Sequence, residues 1–297
     1  TMKLVLTLIA APNSNALTKA VIDNAAIALT GAGALVGDVT WLADGEACDL
    51  TFDGIPLDVA DTTLAEAELP VDAITQKVAT RRKKLLIADM DSTIVTGETL
   101  DELAEFAGVK DRVAAITARA MNGELDFEAA LDERVGLLDG MSTEMLKEAW
   151  KTVEYTGGAR ELVATMKANG GFAALVSGGF DFFTGAVRAE LGFDYDQANV
   201  LLEKDGKLTG KVQKPVLDRQ AKVDALENLS AEQGIAVGDA IAVGDGANDL
   251  QMISLAGTGV AFHAKPAVRE QARICVNHGD LTALLYMQGY AKSDFVS

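Results

Sequence analysis

Short, unbroken apolar runs recur through residues 85–276, and they constrain the fold more than any other feature. They lie at residues 85–88, 172–176, 241–243, 259–262 and 274–276. Strands that are buried on both faces of a parallel sheet have this continuous apolar pattern. Helical patterns lie between them, at residues 158–169, 181–191, 216–229 and 249–256. This alternation predicts an α/β fold with a doubly wound parallel sheet.

Two segments interrupt the alternation. Residues 98–157 contain four helical patterns and no strand pattern, which predicts a helical cap inserted after the first core strand. Residues 200–202 and 208–212 flank the turn Lys204-Asp205-Gly206-Lys207, which predicts a β-hairpin.

Residues 1–78 are predicted to form a separate, small α+β domain, because 297 residues exceed one ordinary small domain. Strand patterns lie at residues 4–9, 39–42 and 48–52, and a helical pattern lies at residues 16–29. The polar stretch 75–84 is interpreted as the linker into a second domain, residues 79–297. The first domain is expected either to bind an effector or to build a homodimer interface.

The charge of the chain limits its partners. A formal net charge of −18 argues against nucleic acid and anionic membrane surfaces, so an anionic substrate needs a locally positive site. No apolar stretch approaches the ~20 residues that cross a bilayer, and the first residues lack a signal-peptide pattern. The two cysteines, Cys48 and Cys275, are expected to be free thiols. The expected location is the cytoplasm.

Polar residues follow the predicted core strands at their carboxyl ends. The segments concerned are Asp89-Met90-Asp91-Ser92-Thr93, Ser177-Gly178-Gly179 and Gly244-Asp245-Gly246-Ala247-Asn248-Asp249, and Lys222 lies on a helix after the hairpin. Carboxyl ends of parallel strands face one crevice, so these groups are expected to converge. Converging carboxylates need a hard cation, and Mg2+ suits oxygen ligands and a phosphate.

These residue types fit phosphoryl transfer. A carboxylate can attack phosphorus to give an acyl phosphate, which water then cleaves. A second carboxyl group two residues further on can protonate the leaving group and then deprotonate the water. Lysine, serine and backbone N–H groups beside glycines can neutralise and position the phosphate.

The four motifs, in this order and over residues 83–285, resemble those of the haloacid dehalogenase superfamily. The resemblance implies that Asp89 is the nucleophile and Asp91 the acid/base. It implies that Asp89, the Asp91 carbonyl and Asp245 bind Mg2+, with Asp249 in support. The residues that it implies for binding the substrate phosphate are Ser177, Gly178, Gly179, Lys222 and Asn248.

The predicted cap is expected to select the substrate. Phe127, Leu131 and Arg134 are spaced to share one helical face. The resemblance implies that Arg134 binds a substrate carboxylate, that Glu98 binds an ammonium group, and that Met121 and Phe127 close the pocket. The substrate that it implies is O-phospho-L-serine, hydrolysed to L-serine and phosphate in the last step of serine biosynthesis.

Three alternatives stay open. The same motifs would serve a phosphotransferase that uses an acceptor such as homoserine, or a phosphatase for another small phosphomonoester. A phospho-accepting signalling protein also places an aspartate beside Mg2+, although Asp91 and the large cap count against it.

Overall fold

The structure, a computed structural model, describes residues 3–297. Its N-terminal part runs β1 (Leu4–Ile9), α1 (Lys19–Gly31), β2 (Leu35–Ala43), β3 (Ala47–Asp53), α2 (Leu57–Glu66) and β4 (Asp72–Lys77). The four strands form an antiparallel sheet in the order β2-β3-β1-β4. One sheet face packs on the two helices through a cluster that includes Leu6, Leu29 and Leu64. The predicted α+β architecture is confirmed.

The rest of the chain forms an α/β core. Its elements are β5 (Leu85–Ala88), α3 (Thr99–Phe106), α4 (Lys110–Met121), α5 (Phe127–Gly136), α6 (Glu144–Trp150), α7 (Ala159–Ala168), β6 (Phe172–Phe180), α8 (Asp181–Leu191), β7 (Tyr195–Asn199), β8 (Leu201–Lys204), β9 (Lys207–Val212), α9 (Arg219–Gln233), β10 (Ala240–Gly244), α10 (Leu250–Leu255), β11 (Thr258–Phe262), α11 (Pro266–Arg269), β12 (Ile274–Val276) and α12 (Ala283–Tyr286). Six strands form a parallel sheet in the order β12-β11-β10-β5-β6-β7, and β8 and β9 form the expected hairpin.

Strand β5 lies inside this sheet because its side chains are apolar on both faces. Leu85 and Ile87 pack in one cluster with Leu226 of α9. Leu86 packs on the opposite face in a cluster that includes Leu162 of α7. Burying an aliphatic side chain of this size stabilises the fold by about 1.5–3 kcal/mol. The doubly wound arrangement follows from this two-sided burial.

The four helices α3–α6 form a cap inserted between β5 and β6. The chain enters and leaves the cap through two adjacent segments that pair with each other. The Thr96 N–H donates to the Glu154 carbonyl at 2.9 Å, and the Thr156 N–H donates to the Ile94 carbonyl at 2.9 Å. The first segment follows the carboxyl end of β5 and the second, which leads into α7, pairs with it, so the cap stands over that edge of the sheet. The predicted helical cap is confirmed.

The N-terminal sheet is anchored on the core by a buried carboxylate. Asp72 of β4 accepts backbone N–H groups of Asn277, His278 and Gly279, which follow β12, at 2.7 to 3.2 Å. An ion pair of 2.7 Å between Arg81 and Asp49 adds a second link. Such charge-assisted hydrogen bonds are stronger than neutral ones.

The expected linker at residues 75–84 is wrong at its start. Thr75, Gln76 and Lys77 belong to β4, and Thr75 and Gln76 are buried although they are polar. The burial of Thr75 is explained by Arg273 of the core, which donates to the Thr75 carbonyl at 2.7 Å and to its hydroxyl at 3.2 Å. Helix α2 and strands β4 and β7 were not predicted. No helix in residues 3–297 combines the length and apolar character needed to cross a membrane.

Candidate active site

The segment that follows β5 begins the site. The Asp89 N–H donates to the Val243 carbonyl of β10 at 3.0 Å, which fixes the end of the strand. The chain then turns through Ser92, whose φ of 54° lies in the left-handed region. Asp91 is thereby turned towards the cap, where its Oδ1 accepts the Thr99 N–H at 2.9 Å. The two carboxylates therefore have different partners.

Lys222 is buried beneath Asp89. Its Nζ lies 2.5 Å from Asp89 Oδ1 and 2.6 Å from Asp249 Oδ1. Asp249 Oδ2 accepts the Gly246 N–H at 3.0 Å. Helix α9 thus supplies one buried cation that holds carboxylates from the carboxyl ends of two neighbouring strands.

Ser177 and its glycines form a third part of the site. The Ser177 hydroxyl accepts the Gly179 N–H at 2.9 Å. A Cβ atom at Gly179 would lie 2.8 Å from Asp91 Oδ2, so only glycine leaves this carboxylate in place. At Gly178 a Cβ atom would meet the Phe127 ring at 3.6 Å, an ordinary contact.

Asn199 is a supporting residue to which no sequence pattern pointed. It is buried at the end of β7, and its Nδ2 donates to the Gly178 carbonyl at 2.9 Å. Its Oδ1 accepts the Leu217 N–H at 2.8 Å. Asn199 therefore ties the glycine segment to the chain that leads into α9. Because β7 is polar, its sequence lacks the apolar signal that located the other core strands.

These groups surround a cavity of about 300 Å³ between the core and the cap. Its lining consists of Asp89, Asp91, Glu98, Leu100, Phe127, Leu131, Arg134, Ser177, Gly178, Gly179, Phe180, Asp245, Gly246, Asn248 and Lys265. The cavity thus brings together most of the side chains singled out in the sequence. Lys222 and Asp249 are buried beneath it.

Arg134 is the cap cation in this lining. Its Nε donates to the Ala130 carbonyl at 3.1 Å, within α5. Among residues 3–297 no carboxylate lies within 4.0 Å of its guanidinium. Burial lowers the pKa of Arg134, because the charge has lost part of its hydration. An unpaired, half-buried guanidinium in a cavity is suited to bind an anion.

Two further cap-side residues have different positions. Glu98 lines the cavity and its Oε1 accepts the Ser92 hydroxyl at 2.7 Å. Met121, which was expected to close the pocket, does not line it. Its side chain is 77% exposed because it lies at the last residue of α4 and points to solvent.

The carboxylates of the site have raised pKa values. Burial raises the pKa of Asp91 to about 7, and the charge of Glu98 adds to the rise. Burial also raises the pKa of Asp245 to about 6 and that of Asp89 well above its usual range. Burial alone would lower the pKa of Lys222, but the charges of Asp89 and Asp249 outweigh it and raise the value. Such clustered shifts are typical of functional sites.

The acidic cluster fits a hard divalent cation. Asp89, Asp245 and Asp249 each offer a carboxylate oxygen, and these oxygens lie within 4.8 Å of one another. Lys222 balances one of the three charges, so a cation would relieve the remaining repulsion. An all-oxygen donor set is the type that Mg2+ and Ca2+ prefer.

The parallel sheet, the cap and the carboxylates at the carboxyl edge define an α/β protein with an acidic cavity that suits a metal ion and an anion. The family model for haloacid dehalogenase-like hydrolases matches residues 86–254. The chain belongs to this family. A phosphoserine phosphatase from Methanocaldococcus jannaschii is 45% identical over 205 residues, which cover 69% of this chain and 97% of that relative.

Other relatives are longer than the matched region. The phosphoserine phosphatase from Streptomyces coelicolor is 40% identical over 84% of this chain, which spans 62% of that relative. The enzyme from Archaeoglobus fulgidus is 43% identical over 74% of this chain, which spans 64% of that relative. The enzyme from Haemophilus influenzae is 47% identical over 68% of this chain, which again spans 64% of that relative. Relatives of which 93–97% is covered match 67–73% of this chain. Part of this chain therefore lies outside the match to those relatives.

One solved structure covers nearly the whole of this chain, and another covers about two thirds of it. A probable phosphoserine phosphatase from Vibrio cholerae superposes with a TM-score of 0.79 at 32% identity, covering 99% of this chain and 88% of that one. A substrate-bound phosphoserine phosphatase superposes with a TM-score of 0.65 at 45% identity, covering 69% of this chain and 98% of that one. The N-terminal sheet therefore has a counterpart in the first structure.

Proposed function

We propose that this protein hydrolyses O-phospho-L-serine to L-serine and phosphate, the last step of serine biosynthesis. The observation that carries the proposal is the contact of Asp89 with Lys222 beneath a cavity that also contains the unpaired Arg134. One part of this site suits a phosphoryl group, and the other suits the carboxylate of an amino acid. Relatives named phosphoserine phosphatase support the same reaction.

The first half of the reaction transfers the phosphoryl group to the protein. A carboxylate oxygen of Asp89 bonds to phosphorus as the bond from phosphorus to the serine oxygen breaks. Asp91 donates its proton to that serine oxygen. A pKa of about 7 suits this role, because a substantial fraction of the carboxyl group is then protonated at neutral pH.

The second half returns the protein to its starting state. Asp91, now ionised, takes a proton from water as the water oxygen bonds to phosphorus. The bond between phosphorus and the Asp89 oxygen breaks, and phosphate leaves. Lys222 stays beside Asp89 through both halves and neutralises the charge that moves between its carboxylate and the phosphoryl group.

Asp89, Asp245 and the Asp91 carbonyl would hold Mg2+, with Asp249 in support, and the bound ion would supply charge neutralisation. Ser177, the N–H groups of the glycine segment and Asn248 are proposed to bind the phosphate. On the cap, Arg134 is proposed to bind the substrate carboxylate and Glu98 its ammonium group, with the Phe127 ring beside them.

The division of the chain is also a proposal. Residues 1–78 are proposed to form a regulatory or dimerising domain, and residues 79–297 the catalytic domain. The interface through Asp72 supports communication between them, since it joins β4 to the segment that follows β12. A cytoplasmic location is proposed, in keeping with the free thiols of Cys48 and Cys275.

The deciding experiment is a phosphate-release panel with and without Mg2+. The substrates are L-phosphoserine, phosphoethanolamine, which lacks the carboxylate, and a phosphate ester that lacks the amino group. L-Phosphoserine should be hydrolysed fastest, and only when Mg2+ is present. Asp89→Asn should abolish turnover while circular dichroism and thermal unfolding stay those of a folded protein. Full activity of Asp89→Asn would refute the nucleophile.

The same assays separate the alternatives. Phosphorylation of homoserine in place of phosphate release would identify a phosphotransferase. An aspartyl-phosphate that persists for minutes would identify a signalling protein. Rapid phosphate release from L-phosphoserine contradicts both.

A further inference from the structure

Lys265 lines the active-site cavity, although no sequence pattern singled it out. It lies just beyond β11, three residues after Phe262. Strand β11 runs parallel to β10, and Ala261 pairs with Gly244, the residue before Asp245. The two strands therefore end at the same edge of the sheet, and Lys265 reaches the cavity from the core side.

The ammonium group of Lys265 is free to bind an anion. In the part of the chain from residue 3 onwards, it forms no hydrogen bond and no carboxylate lies within 4.0 Å of it. Lys222, in contrast, is already paired with Asp89 and Asp249. The backbone of Lys265 is fixed, because the Lys265 carbonyl accepts the N–H groups of Val268 and Arg269 at 2.9 and 3.1 Å.

The charges of the cavity lining give Lys265 a role. The lining contains four carboxylates, those of Asp89, Asp91, Glu98 and Asp245, and two cations, Arg134 and Lys265. With Asp91 protonated, as the first half of the proposed reaction requires, three negative charges of the lining face these two cations. Without Lys265, Arg134 would be the one protein cation of the lining to offset these charges, in a chain whose net charge is −18, and the approach of a phosphate dianion would be less favourable.

We propose that Lys265 recruits the phosphate group at the cavity mouth and takes no part in bond making or breaking. The inference rests on the proposed function for the identity of the substrate, but it applies to any phosphomonoester. Lys265 lies at the Asp245 end of the cavity, because β10 and β11 end side by side and both residues line it. The ammonium therefore acts on the side of the cavity where the metal and phosphate are proposed to bind.

Three variants test the inference in the full-length protein at saturating Mg2+. Lys265→Met removes the charge and keeps the length, and Lys265→Arg keeps the charge. Lys77→Met is the matched control. Lys77 is an exposed lysine at the end of β4, in the segment that leads to the amino end of β5. The active site lies at the opposite, carboxyl end of β5. At low ionic strength, Lys265→Met should lower kcat/KM for L-phosphoserine about 10-fold, whereas kcat should change less than about 2-fold. Salt should shrink the difference, because it screens exposed charges.

Inorganic phosphate serves as a probe that does not depend on the substrate. Its inhibition constant should rise in Lys265→Met by about the same factor as kcat/KM falls, and Lys265→Arg should restore both. An unchanged inhibition constant, an equal loss in Lys77→Met, or a salt-independent loss confined to kcat would overturn the inference. If the wild-type protein hydrolyses p-nitrophenyl phosphate but not L-phosphoserine, the proposed function fails. The phosphate inhibition data then still decide the role of Lys265.

Discussion

Lys222 Nζ lies 2.5 Å from Asp89 Oδ1, and both side chains are buried at the junction of α9 with the end of β5. The two residues are separated by 133 positions in the sequence. Their contact stabilises the fold and also holds the proposed nucleophile in place. A carboxylate in this position would be costly without the cation, and the cation would be costly without its carboxylates.

Removing that cation should destabilise the protein as well as inactivate it. Lys222→Met leaves Asp89 and Asp249 buried side by side without a positive charge. We expect the free energy of unfolding to fall by about 3–5 kcal/mol, measured by denaturant titration in EDTA. Phosphate release should fall by at least about 100-fold. Lys147→Met, which breaks an exposed pair with Glu144, should change stability by less than about 1 kcal/mol.

A second variant checks the cause of that loss. Adding Asp249→Asn to Lys222→Met removes one of the two repelling carboxylates. The double variant should therefore recover part of the lost stability. If both variants are equally unstable, repulsion between the carboxylates is not the cause.

Substitution of Gly179 by alanine should damage Asp91 without unfolding the protein. The new methyl group would lie 2.8 Å from Asp91 Oδ2 and displace the proposed acid/base. We expect kcat to fall by at least about 10-fold, because a displaced Asp91 loses part of the roughly 100- to 10,000-fold that a positioned proton donor contributes. Gly185→Ala in α8 is the control, because no atom lies within 4 Å of its Cβ position. A normal kcat in Gly179→Ala would contradict the tight approach.

Arg134 should determine recognition of the substrate carboxylate. Arg134→Ala should raise KM for L-phosphoserine by about 10-fold or more, the loss of roughly 1.5–3 kcal/mol from a charged hydrogen bond. KM for phosphoethanolamine, which has no carboxylate, should change little. Arg119→Ala removes a cap arginine that is paired with Glu133 on the surface and serves as control. Equal changes in KM for both substrates would show that Arg134 does not bind the substrate carboxylate.

The metal-free protein should become less stable as pH rises through the neutral range. The folded-state pKa values of Asp91 and Asp245, about 7 and about 6, exceed the value near 3.9 of an unfolded chain. Between about pH 4 and 7 the native state therefore holds more protons, and the free energy of unfolding falls with increasing pH. Chemical denaturation in EDTA across this range measures the slope.

A single substitution isolates this effect from other titrating groups. Asp245→Asn cannot ionise, so the slope of stability against pH should be shallower than in the wild-type protein. Mg2+ should oppose the slope in the wild type, because it binds the ionised carboxylates. An identical slope in Asp245→Asn and wild type would show that Asp245 is ionised throughout the range.

The core strands could be predicted because their environment leaves a simple record in the sequence. Leu85–Ala88 is buried on both faces, so every residue in it is apolar. Strand Tyr195–Asn199 lies at the edge of the same sheet and contains Asp196 and Gln197, so no apolar run marks it. Strand β4 was assigned in part to a linker for a similar reason, because it contains polar residues such as Thr75, which is buried against Arg273 of the core.

The candidate site divides in the same way. Asp89, Asp91 and Asp245 belong to short polar motifs that directly follow apolar strands, so they could be located from the sequence. Lys222 has no local pattern, and only its place in the order of the family motifs pointed to it. Nothing marked Asn199 or Lys265, because a single polar residue gains its meaning from neighbours that the fold supplies. Met121 was expected to line the pocket, but it is the last residue of its helix and its side chain is exposed to solvent.

The paired segments at residues 94–96 and 154–156 have a consequence for how such an enzyme can change its preference. Every covalent path between the cap and the sheet runs through this one narrow neck, where Val95 and Tyr155 form a bridge. Insertions and substitutions in the cap helices can therefore accumulate during evolution while Asp89 and Lys222 keep their positions. Selectivity and bond-breaking power can thus evolve on separate parts of one polypeptide.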